Sequence, residues 1–367
     1  MKELVIKEFG KLADGTEVSQ YILENDFGDQ VVVTPFGATL VAWYVNENEA
    51  DSSDAADTTP TNLVLGFDDV SKYEADKKWN FGATVGPYAN RIAGAEFRLN
   101  ENFYKLNKND GNNNLHSGDL NFGKKLWDVV RAEDHAVTFA IKLDDETYPG
   151  NLLLKVTYSY GNDRQLGLHY EAESDEDTYI NPTNHSYFNL NGSGSVDNLH
   201  LEVNSRLYTP VNEDLIPSGE VLSVEGTGFD LRTLTKMEDV FASKDEDIVA
   251  KAGLDHNFVL DKEIPNEYFY AARIVNMDTQ KQLVCFTQMP ALQIFTGNGL
   301  DGVEGSDGRV YHEHDGICLE TQYFPDAVNN AHFPSPLLRA GETFSSETLY
   351  TYVDYVDFGS GEDEDIF

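Results

Sequence analysis

The chain has 367 residues, of which 64 are acidic and 26 are Lys or Arg, so its formal net charge at pH 7 is −38. This charge argues against nucleic acid and anionic membrane surfaces as partners, because both are bound chiefly through Lys and Arg. Hydrophobic residues make up 40% of the chain, and no apolar run approaches the roughly 20 residues needed to span a bilayer. We therefore expect a soluble globular protein with no membrane and no nucleic acid as partner.

The N-terminus lacks the signals of a secreted protein. Residues 1–10 alternate apolar and charged side chains and contain neither a long apolar stretch nor a small-residue cleavage site. Cys285 and Cys318 lie in apolar, strand-like runs and are too few for a disulfide framework. These features predict a cytoplasmic protein whose two cysteines are buried structural thiols.

Short segments of alternating or β-branched apolar residues predict strands along most of the chain. The clearest examples are 152–160, 166–172, 282–286 and 292–296. Helical periodicity is confined to two short stretches, 68–74 and 234–243. Many strands without alternating helices indicate sheet packed on sheet. We expect a mainly β fold, a single large antiparallel β-sandwich over residues 1–358, followed by an acidic C-terminal tail, 359–367.

Acidic residues are concentrated in three stretches. They are 46–62, 171–177 and 359–365. Runs of like charge repel one another and stay hydrated. We interpret all three as solvated loops or a frayed end, away from any site.

A glycine-rich stretch superficially fits a dinucleotide-binding fingerprint. Gly297, Gly299 and Gly302 spell G-x-G-x-x-G after a predicted strand. The residues that follow, 303–308, cannot open a helix, so there is no helix N-terminus for a pyrophosphate. The glycines are therefore interpreted as a turn.

The sequence His312-Glu313-His314 offers nitrogen and oxygen ligands for a metal ion. Residues two apart share a face of a strand, so both imidazoles would point the same way. No matching third ligand is apparent, and we expect no metal at this position.

Five clusters combine polar or ionisable residues with glycines or aromatic residues. They are 86–94, 113–118, 181–190, 254–258 and 316–322. In the last cluster, strand alternation places Ile317 and Leu319 on one face, and Cys318, Glu320 and Gln322 on the other. A carboxylate in so apolar a strand is costly unless it is paired or takes part in chemistry. The residues alone leave both interpretations of Glu320 open.

His185 has a similar ambiguity, because a lone histidine in such a segment is commonly a satisfied core residue. The residues of the other clusters favour a functional role for His185 over a purely structural one. Together they supply carboxylates, imidazoles, amides, a guanidinium and aromatic rings, which are the groups that hold a neutral polyhydroxyl ligand. A sugar fits this set better than a phosphate ester.

In this order the clusters resemble the galactose mutarotase (aldose 1-epimerase) family. The similarity spans roughly residues 8–352 and includes several further segments. These are LVLGF at 63–67, YFNL at 187–190, LIPSGE at 215–220, TGFDLR at 227–232, GN at 297–298 and PDAVN at 325–329. The resemblance implies a single large twisted antiparallel β-sandwich, in agreement with the strand pattern.

Carried over residue by residue, the resemblance makes Glu320 the general base and His185 the general acid. The sugar-binding residues that it implies are Asn90, Arg91, His116, Asp255 and Gln293. No metal, nucleotide or other cofactor is implied. Two positions depart from the family pattern: Pro87 replaces an arginine and Ser117 replaces a glycine. We expect both departures to affect the rim of the pocket.

The implied reaction is the interconversion of α and β anomers of free hexoses such as galactose and glucose. A maltose 1-epimerase and a non-catalytic sugar-binding protein are the alternatives, and a glycoside hydrolase would require Asp255 and Glu320 as its carboxylate pair. A hexose 6-phosphate is a poorer candidate, because only Arg91 and Arg98 lie near the matching segments. The oligomeric state, monomer or homodimer, is left open.

Overall fold

The structure is a computed structural model, which describes residues 2–46, 59–261 and 267–356. The acidic tail at 359–367 and most of the acidic segment at 46–62 lie outside the described residues. No helix in the described part of the chain is long and apolar enough to cross a membrane.

Strands dominate the secondary structure, as the alternation predicted. The first are β1 Val5–Lys11, β2 Glu17–Glu24, β3 Gln30–Thr34, β4 Thr39–Val45, β5 Thr61–Asn62, β6 Thr84–Val85, β7 Arg91–Ile92, β8 Glu96–Leu99, β9 Asn102–Lys105 and β10 Asn114–Leu115. The next are β11 Asp128–Glu133, β12 Ala136–Leu143, β13 Leu152–Tyr160, β14 Gln165–Ser174, β15 Thr178–Tyr179, β16 Thr183–Asn184, β17 Tyr187–Phe188, β18 His200–Val203, β19 Leu207–Thr209 and β20 Leu222–Ser223. The last are β21 Thr235–Lys236, β22 Asp255–Val259, β23 Phe269–Asn276, β24 Lys281–Thr287, β25 Ala291–Phe295, β26 Val303–Glu304, β27 Val310–Tyr311, β28 Ile317–Gln322, β29 Leu337–Leu338 and β30 Thr343–Asp354.

The α-helices are short. They are α1 Val70–Ala75, α2 Met237–Phe241 and α3 Glu246–Lys251. Single 3₁₀ turns occur at Ala93–Ala95, Gly118–Leu120, Phe122–Lys124, Ser306–Gly308 and Ala327–Asn329. The first α-helix overlaps the predicted stretch 68–74 and extends one residue past it, and the second lies inside the predicted stretch 234–243. The third was missed, although Asp245 caps it by accepting from the backbone N–H of Asp247.

Two antiparallel sheets build the sandwich. The described part of the larger one has nine strands in the order β11-β12-β13-β14-β30-β24-β23-β18-β21, and the smaller has six in the order β17-β28-β25-β22-β19-β20. Strand β13 alternates buried and partly exposed residues along its whole length, which is the pattern of a sheet with one face in the core. A further five-stranded sheet, β1-β2-β3-β4-β5, covers one side.

The two large sheets pack face to face. The Tyr350 hydroxyl of the larger sheet donates to the Leu319 carbonyl of the smaller one at 2.7 Å. The Phe188 and Tyr350 rings lie 4.9 Å apart, and the main core draws aliphatic side chains from both sheets. The prediction of a mainly β antiparallel sandwich is confirmed.

Strand β28 is buried on both faces, which explains its apolar sequence. Ile317 and Leu319 enter the main core, whereas Cys318 packs with Tyr187 in a second, smaller core. In register, Glu320 lies opposite Gln293 of β25. The face that carries Cys318 and Glu320 is the one from which the site is built.

The acidic stretch 171–177 is only partly a loop. Its first four residues complete β14, where Ala172 and Ser174 are buried. The remaining three residues, 175–177, form an irregular bend at the surface. The acidic residues of β14 point away from the core because the strand alternates.

Candidate active site

A cavity of about 860 Å³ opens at one end of the six-stranded sheet. Each of the five sequence clusters contributes to its wall. The contributions are Asn90 and Arg91, Leu115 with His116 and Gly118, His185 with Tyr187, Asp255, and Glu320. Residues far apart in the chain thus meet at one concave surface, the usual form of a small-molecule site.

Glu320 and His185 form the centre of this wall. Glu320 is held on β28, and His185 lies between the short strands β16 and β17. The backbone of His185 is fixed on both sides, because its N–H donates to the Ala83 carbonyl and its carbonyl accepts from the Gly82 N–H, both at 2.9 Å. The His185 Nε2 is 3.7 Å from the Glu320 Oε1. Both side chains are almost completely buried.

Burial shifts the pKa values of this pair in opposite directions. It raises the pKa of Glu320 well above its usual 4.5, with Asp255 adding to the effect and Arg91 opposing it. It lowers the pKa of His185 from 6.5 to about 4. Both shifts favour a protonated Glu320 beside a neutral His185. A carboxyl with a neutral imidazole and a carboxylate with an imidazolium contain the same number of protons.

Aromatic rings enclose His185. The Tyr187 ring stacks on the imidazole at 5.1 Å, and the Phe295 ring meets it edge-on at 6.3 Å. The Tyr187 hydroxyl donates to the Trp79 carbonyl at 2.9 Å, which holds the ring in place. Tyr187, Phe295 and Trp79 also line the cavity, so they offer apolar faces to the C–H surface of a ligand.

Asn90 and His116 are joined through their backbones and through one imidazole nitrogen. The Asn90 N–H donates to the His116 Nδ1 at 3.1 Å, and the Asn90 carbonyl accepts from the His116 N–H at 2.9 Å. Burial lowers the pKa of His116 well below 6.5, and the nearby His185 lowers it further. A neutral His116 with Nδ1 as acceptor carries its proton on Nε2. It is a hydrogen-bond donor on the cavity wall.

Arg91 follows Asn90 on the wall and pairs with Asp110, with Nε and Oδ2 2.7 Å apart. Its side chain is 11% exposed. This pairing orients the guanidinium and leaves its terminal nitrogens without a bond to Asp110 in this geometry. Arg91 acts on the site through its charge, because it opposes the rise in the pKa of Glu320.

Pro87 and Ser117 lie behind the wall rather than on its rim. Both are buried, and neither is among the residues that line the cavity. The Ser117 Oγ donates to the Tyr88 carbonyl and accepts from the Tyr88 N–H, both at 2.9 Å. The expectation that these two departures reshape the rim is therefore wrong for their side chains. Ser117 instead ties the His116 turn to the neighbouring segment.

Asp255 and Gln293 occupy different positions in the site. Asp255 lines the cavity, whereas Gln293 is buried behind it and donates from Nε2 to the Asp255 Oδ1 at 2.6 Å. Burial raises the pKa of Asp255, while Arg91 and the bond from Gln293 oppose that rise. In this structure Gln293 contacts Asp255 and does not line the cavity.

The wall also contains cations that sequence reasoning missed. They are Lys77, Lys78, Lys124, Lys125 and Lys251. Arg98, one of the two arginines that the sequence offers for contact with a phosphate, does not line the cavity. Lys251 is on the helix that was not predicted, and Lys124 pairs with the buried Asp76, with Nζ and Oδ2 3.0 Å apart. No local motif marks these lysines, because only the folding of distant loops brings them together.

The side chains of 312–314 contact different partners. The His312 Nδ1 is 3.6 Å from Asp301, Glu313 accepts from the Gly299 N–H, and the His314 Nε2 lies 2.7 Å from the Ala252 carbonyl. The glycine-rich stretch 297–302 leads into the short strand β26, as expected for a turn. Of these two motifs, only the glycine-rich turn contributes to the lining of the cavity, through Asn298.

Comparison with known proteins identifies the family of this chain. The family model described as aldose 1-epimerase matches residues 19–351. The chain belongs to the aldose 1-epimerase family. It is 37% identical over 350 residues to the galactose mutarotase of Sus scrofa, which covers 94% of this chain and 97% of the relative. It is 33% identical over 345 residues to the aldose 1-epimerase of Escherichia coli strain K12, which covers 93% and 96%. The chain is thus an enzyme of the isomerase class.

Solved structures of the family share the fold. The structure of a GalM/aldose epimerase homologue from C. elegans superimposes with a TM-score of 0.83 at 28% identity, covering 92% of this chain and all of that one (100%). Galactose 1-epimerase from Lactobacillus acidophilus NCFM gives a TM-score of 0.80 at 28% identity and covers 96% and 99%. This member of the aldose 1-epimerase family therefore has the same β-sandwich fold as these relatives.

Proposed function

We propose that this chain is a galactose mutarotase that interconverts the α and β anomers of free hexoses such as galactose and glucose. The observation that carries the proposal is the pair formed by Glu320 and His185, whose Oε1 and Nε2 are 3.7 Å apart in the cavity wall. The C1 hydroxyl and the ring oxygen of a hexose are both attached to C1. An acid and a base that act on them must therefore lie only a few ångströms apart, as this pair does.

In the proposed reaction Glu320 is the general base and His185 is the general acid. The Glu320 carboxylate takes the proton of the C1 hydroxyl, the bond between C1 and the ring oxygen breaks, and His185 protonates that oxygen. Rotation about C1–C2 of the open aldehyde and the reverse steps give the other anomer. Each group contributes on the order of 10²–10⁴-fold to the rate.

Burial of the pair makes its charged form the less stable one in the empty site, and it favours the proton transfers of ring opening once that form is present. The reactive pair is a carboxylate and an imidazolium, and ring opening converts it into a carboxyl and a neutral imidazole. Burial favours these neutral forms, as the raised pKa of Glu320 and the lowered pKa of His185 indicate. Ring closure restores the charged pair, so no external proton is consumed over the cycle.

The remaining wall residues are proposed to bind the sugar. His116 donates from Nε2, Asn90 and Arg91 present an amide and a guanidinium, and Asp255 accepts from hydroxyls. Gln293 is proposed to act on the sugar through Asp255, because its amide bonds the Asp255 carboxylate rather than lining the cavity.

A neutral sugar remains the favoured substrate despite the lysines of the wall. Lys124 is paired with Asp76, and the Lys251 Nζ donates to the Glu213 carbonyl at 2.9 Å. The Lys78 Nζ lies 3.9 Å from the centre of the Trp79 ring. These lysines have partners in the protein, and the wall includes acidic residues as well. We expect galactose 6-phosphate to be a poorer substrate than galactose.

A maltose 1-epimerase is the second candidate, favoured by the size of the cavity. Its volume of about 860 Å³ lies near the upper end of the roughly 300–1,000 Å³ range of ligand pockets. A second sugar ring attached at the position remote from C1 would extend toward the opening. Comparing galactose, glucose, xylose and maltose as substrates distinguishes the two candidates.

Polarimetry of freshly dissolved α-galactose tests the proposal. The wild-type chain should accelerate the change in optical rotation, Glu320→Gln should abolish the acceleration, and His185→Ala should reduce it sharply. Glu171→Gln and His169→Ala, on the partly exposed side of β14, are the matched controls. A wild-type rate equal to the buffer rate for all the sugars, or calorimetric sugar binding without anomerisation, would refute the enzyme and favour a sugar-binding protein.

A sugar-soaked crystal tests the two roles. Glu320 should lie within hydrogen-bond distance of the C1 hydroxyl and His185 within that distance of the ring oxygen. The opposite placement would exchange the roles of acid and base. Neither outcome depends on the kinetic comparison.

A further inference from the structure

Cys318 adds a third donor to the catalytic pair, and the proposed reaction makes no use of it. Its thiol is completely buried on β28, two residues before Glu320 and on the same face of the strand. The Cys318 Sγ lies 3.6 Å from the His185 Nδ1. Among the described residues, one ligand atom each from His185, Cys318 and Glu320 fall within 4.8 Å of one another.

This donor set is the one that zinc prefers. Thiolate sulfur, imidazole nitrogen and carboxylate oxygen are its protein ligands, and three of them leave a fourth position of the tetrahedron open. With the usual bond lengths, neighbouring ligand atoms in such a site lie about 3.3–3.6 Å apart. Cys318 lies next to Nδ1 of His185 and Glu320 next to Nε2, and a metal ion binds only one of these two nitrogens. The three ligand atoms lie within 4.8 Å of one another, so a closing movement of about 1 Å would bring them to the distances of a zinc site.

Glu320 has a buried oxygen that is available to a ligand, whether the sugar or an ion. Its Oε2 is buried and has no hydrogen-bond partner, and the residue is only 2% exposed. A buried polar atom without a partner is costly and usually meets water, an ion or a ligand. Glu320 and His185 line the cavity while Cys318 lies behind them, so an ion can enter through the sugar pocket.

We infer that His185, Cys318 and Glu320 bind a single Zn²⁺ ion in competition with the sugar, which makes the ion an inhibitor of this enzyme. The thiol and carboxyl protons pass to the solvent as the ion binds. The ion occupies the two groups that would otherwise exchange protons with the substrate. Inhibition rests on the proposed function, whereas binding of the ion does not.

The same site should discriminate against Mg²⁺ and Ca²⁺. These hard ions take six or more oxygen ligands, and the cluster supplies one carboxylate beside a sulfur and a nitrogen. Mg²⁺ at the concentration at which Zn²⁺ inhibits should therefore leave the mutarotation rate unchanged.

Calorimetric titration of the metal-free full chain with Zn²⁺ tests the inference, with Co²⁺ as a spectroscopic probe of a metal–thiolate bond. Wild type should bind one Zn²⁺ and show the sulfur-to-cobalt absorption band. Cys318→Ser should lose the band and bind Zn²⁺ at least about tenfold more weakly. Cys285→Ser, which alters the other buried thiol, on β24, should behave as wild type. Galactose should weaken Zn²⁺ binding in proportion to its concentration.

Equal Zn²⁺ affinity in all three proteins, or binding without the thiolate band, would overturn the inference. If Cys318→Ser does not fold, Cys285→Ser suffices, because the chain has two cysteines and Cys318 is then the single thiol that can give the sulfur-to-cobalt band. Absence of the band in Cys285→Ser would also overturn the inference. Zn²⁺ binding with the thiolate band in a protein that does not anomerise sugars would refute the proposed function alone.

Discussion

The Asn90 N–H donates to the His116 Nδ1 at 3.1 Å, and this bond determines that a neutral His116 carries its proton on Nε2. Both residues hold a positive φ, 64° at Asn90 and 53° at His116. Two left-handed residues bring the segments 86–94 and 113–118 into contact here. A local backbone feature thus sets the hydrogen-bonding character of a side chain in the cavity.

The first prediction concerns that donor. His116→Ala should lower kcat/KM for galactose by about 10²–10³-fold, the usual loss when one preorganised donor is removed. His116→Gln should lose less, because its amide nitrogen can reach the position of Nε2. Steady-state polarimetry measures both, and equal losses in the two variants would show that His116 does not act as a donor.

The second prediction concerns the pH dependence of the reaction. The pair of Glu320 and His185 is active only while it holds one proton, so kcat/KM should follow a bell-shaped curve. The acidic limb arises when a second proton adds to the pair, in line with a pKa of about 4 for His185. The alkaline limb arises when the last proton leaves, in line with the raised pKa of Glu320. The midpoints belong to the pair and not to either residue.

Measurement of this curve requires subtraction of the spontaneous rate, which itself depends on pH. Rates are taken at constant ionic strength with a buffer blank at every pH. A kcat/KM that keeps rising with pH, without an alkaline limb, would contradict a shared proton.

The third prediction links the raised pKa of Glu320 to stability. In the unfolded chain a glutamate ionises near pH 4.5, whereas in the folded protein Glu320 keeps its proton to a higher pH. Between these two values the folded state binds more protons, so this residue destabilises the fold increasingly as the pH rises. Glu320→Gln removes the effect. The variant should gain stability relative to wild type from about pH 5 upward, until the folded-state carboxyl also ionises.

Thermal unfolding at pH 4, 5, 6 and 7 measures this difference. Glu171→Gln provides the control, because Glu171 is only partly buried on the outer side of β14. A difference in Tm between Glu320→Gln and wild type that is constant from pH 4 to pH 7 would contradict the linkage.

The fourth prediction separates Gln293 from the wall residues. Gln293 contacts Asp255 through a 2.6 Å bond, so Gln293→Leu should raise KM several-fold and change kcat little. Asp255→Asn should raise KM more, because the group proposed to accept from the sugar is itself altered. Gln165→Leu, on β14, is the matched control. A fall in kcat equal to that of Glu320→Gln would contradict a positioning role.

Much of the fold could be predicted from the sequence because its cues are local. Strand β13 matches the predicted 152–160 to the residue, since alternation with period two is preserved wherever one face is buried. The helix Glu246–Lys251 was missed because it is short and carries only one strong signal, the capping Asp245. The faces of β28 were also predictable, and Ile317 and Leu319 do enter the main core.

The sequence by itself determined the class of fold and the family, and it supplied the residues that we propose to carry the chemistry, because alternation and motifs are properties of short segments. Only the tertiary structure decided the 3.7 Å spacing of the His185 and Glu320 atoms, the place of Gln293 behind Asp255, and the contact of Cys318 with His185. It also brought lysines from several distant segments to the cavity of a chain with a net charge of −38. These relationships join segments far apart in the chain. Their distances and pKa values follow from packing and desolvation, which no local pattern encodes.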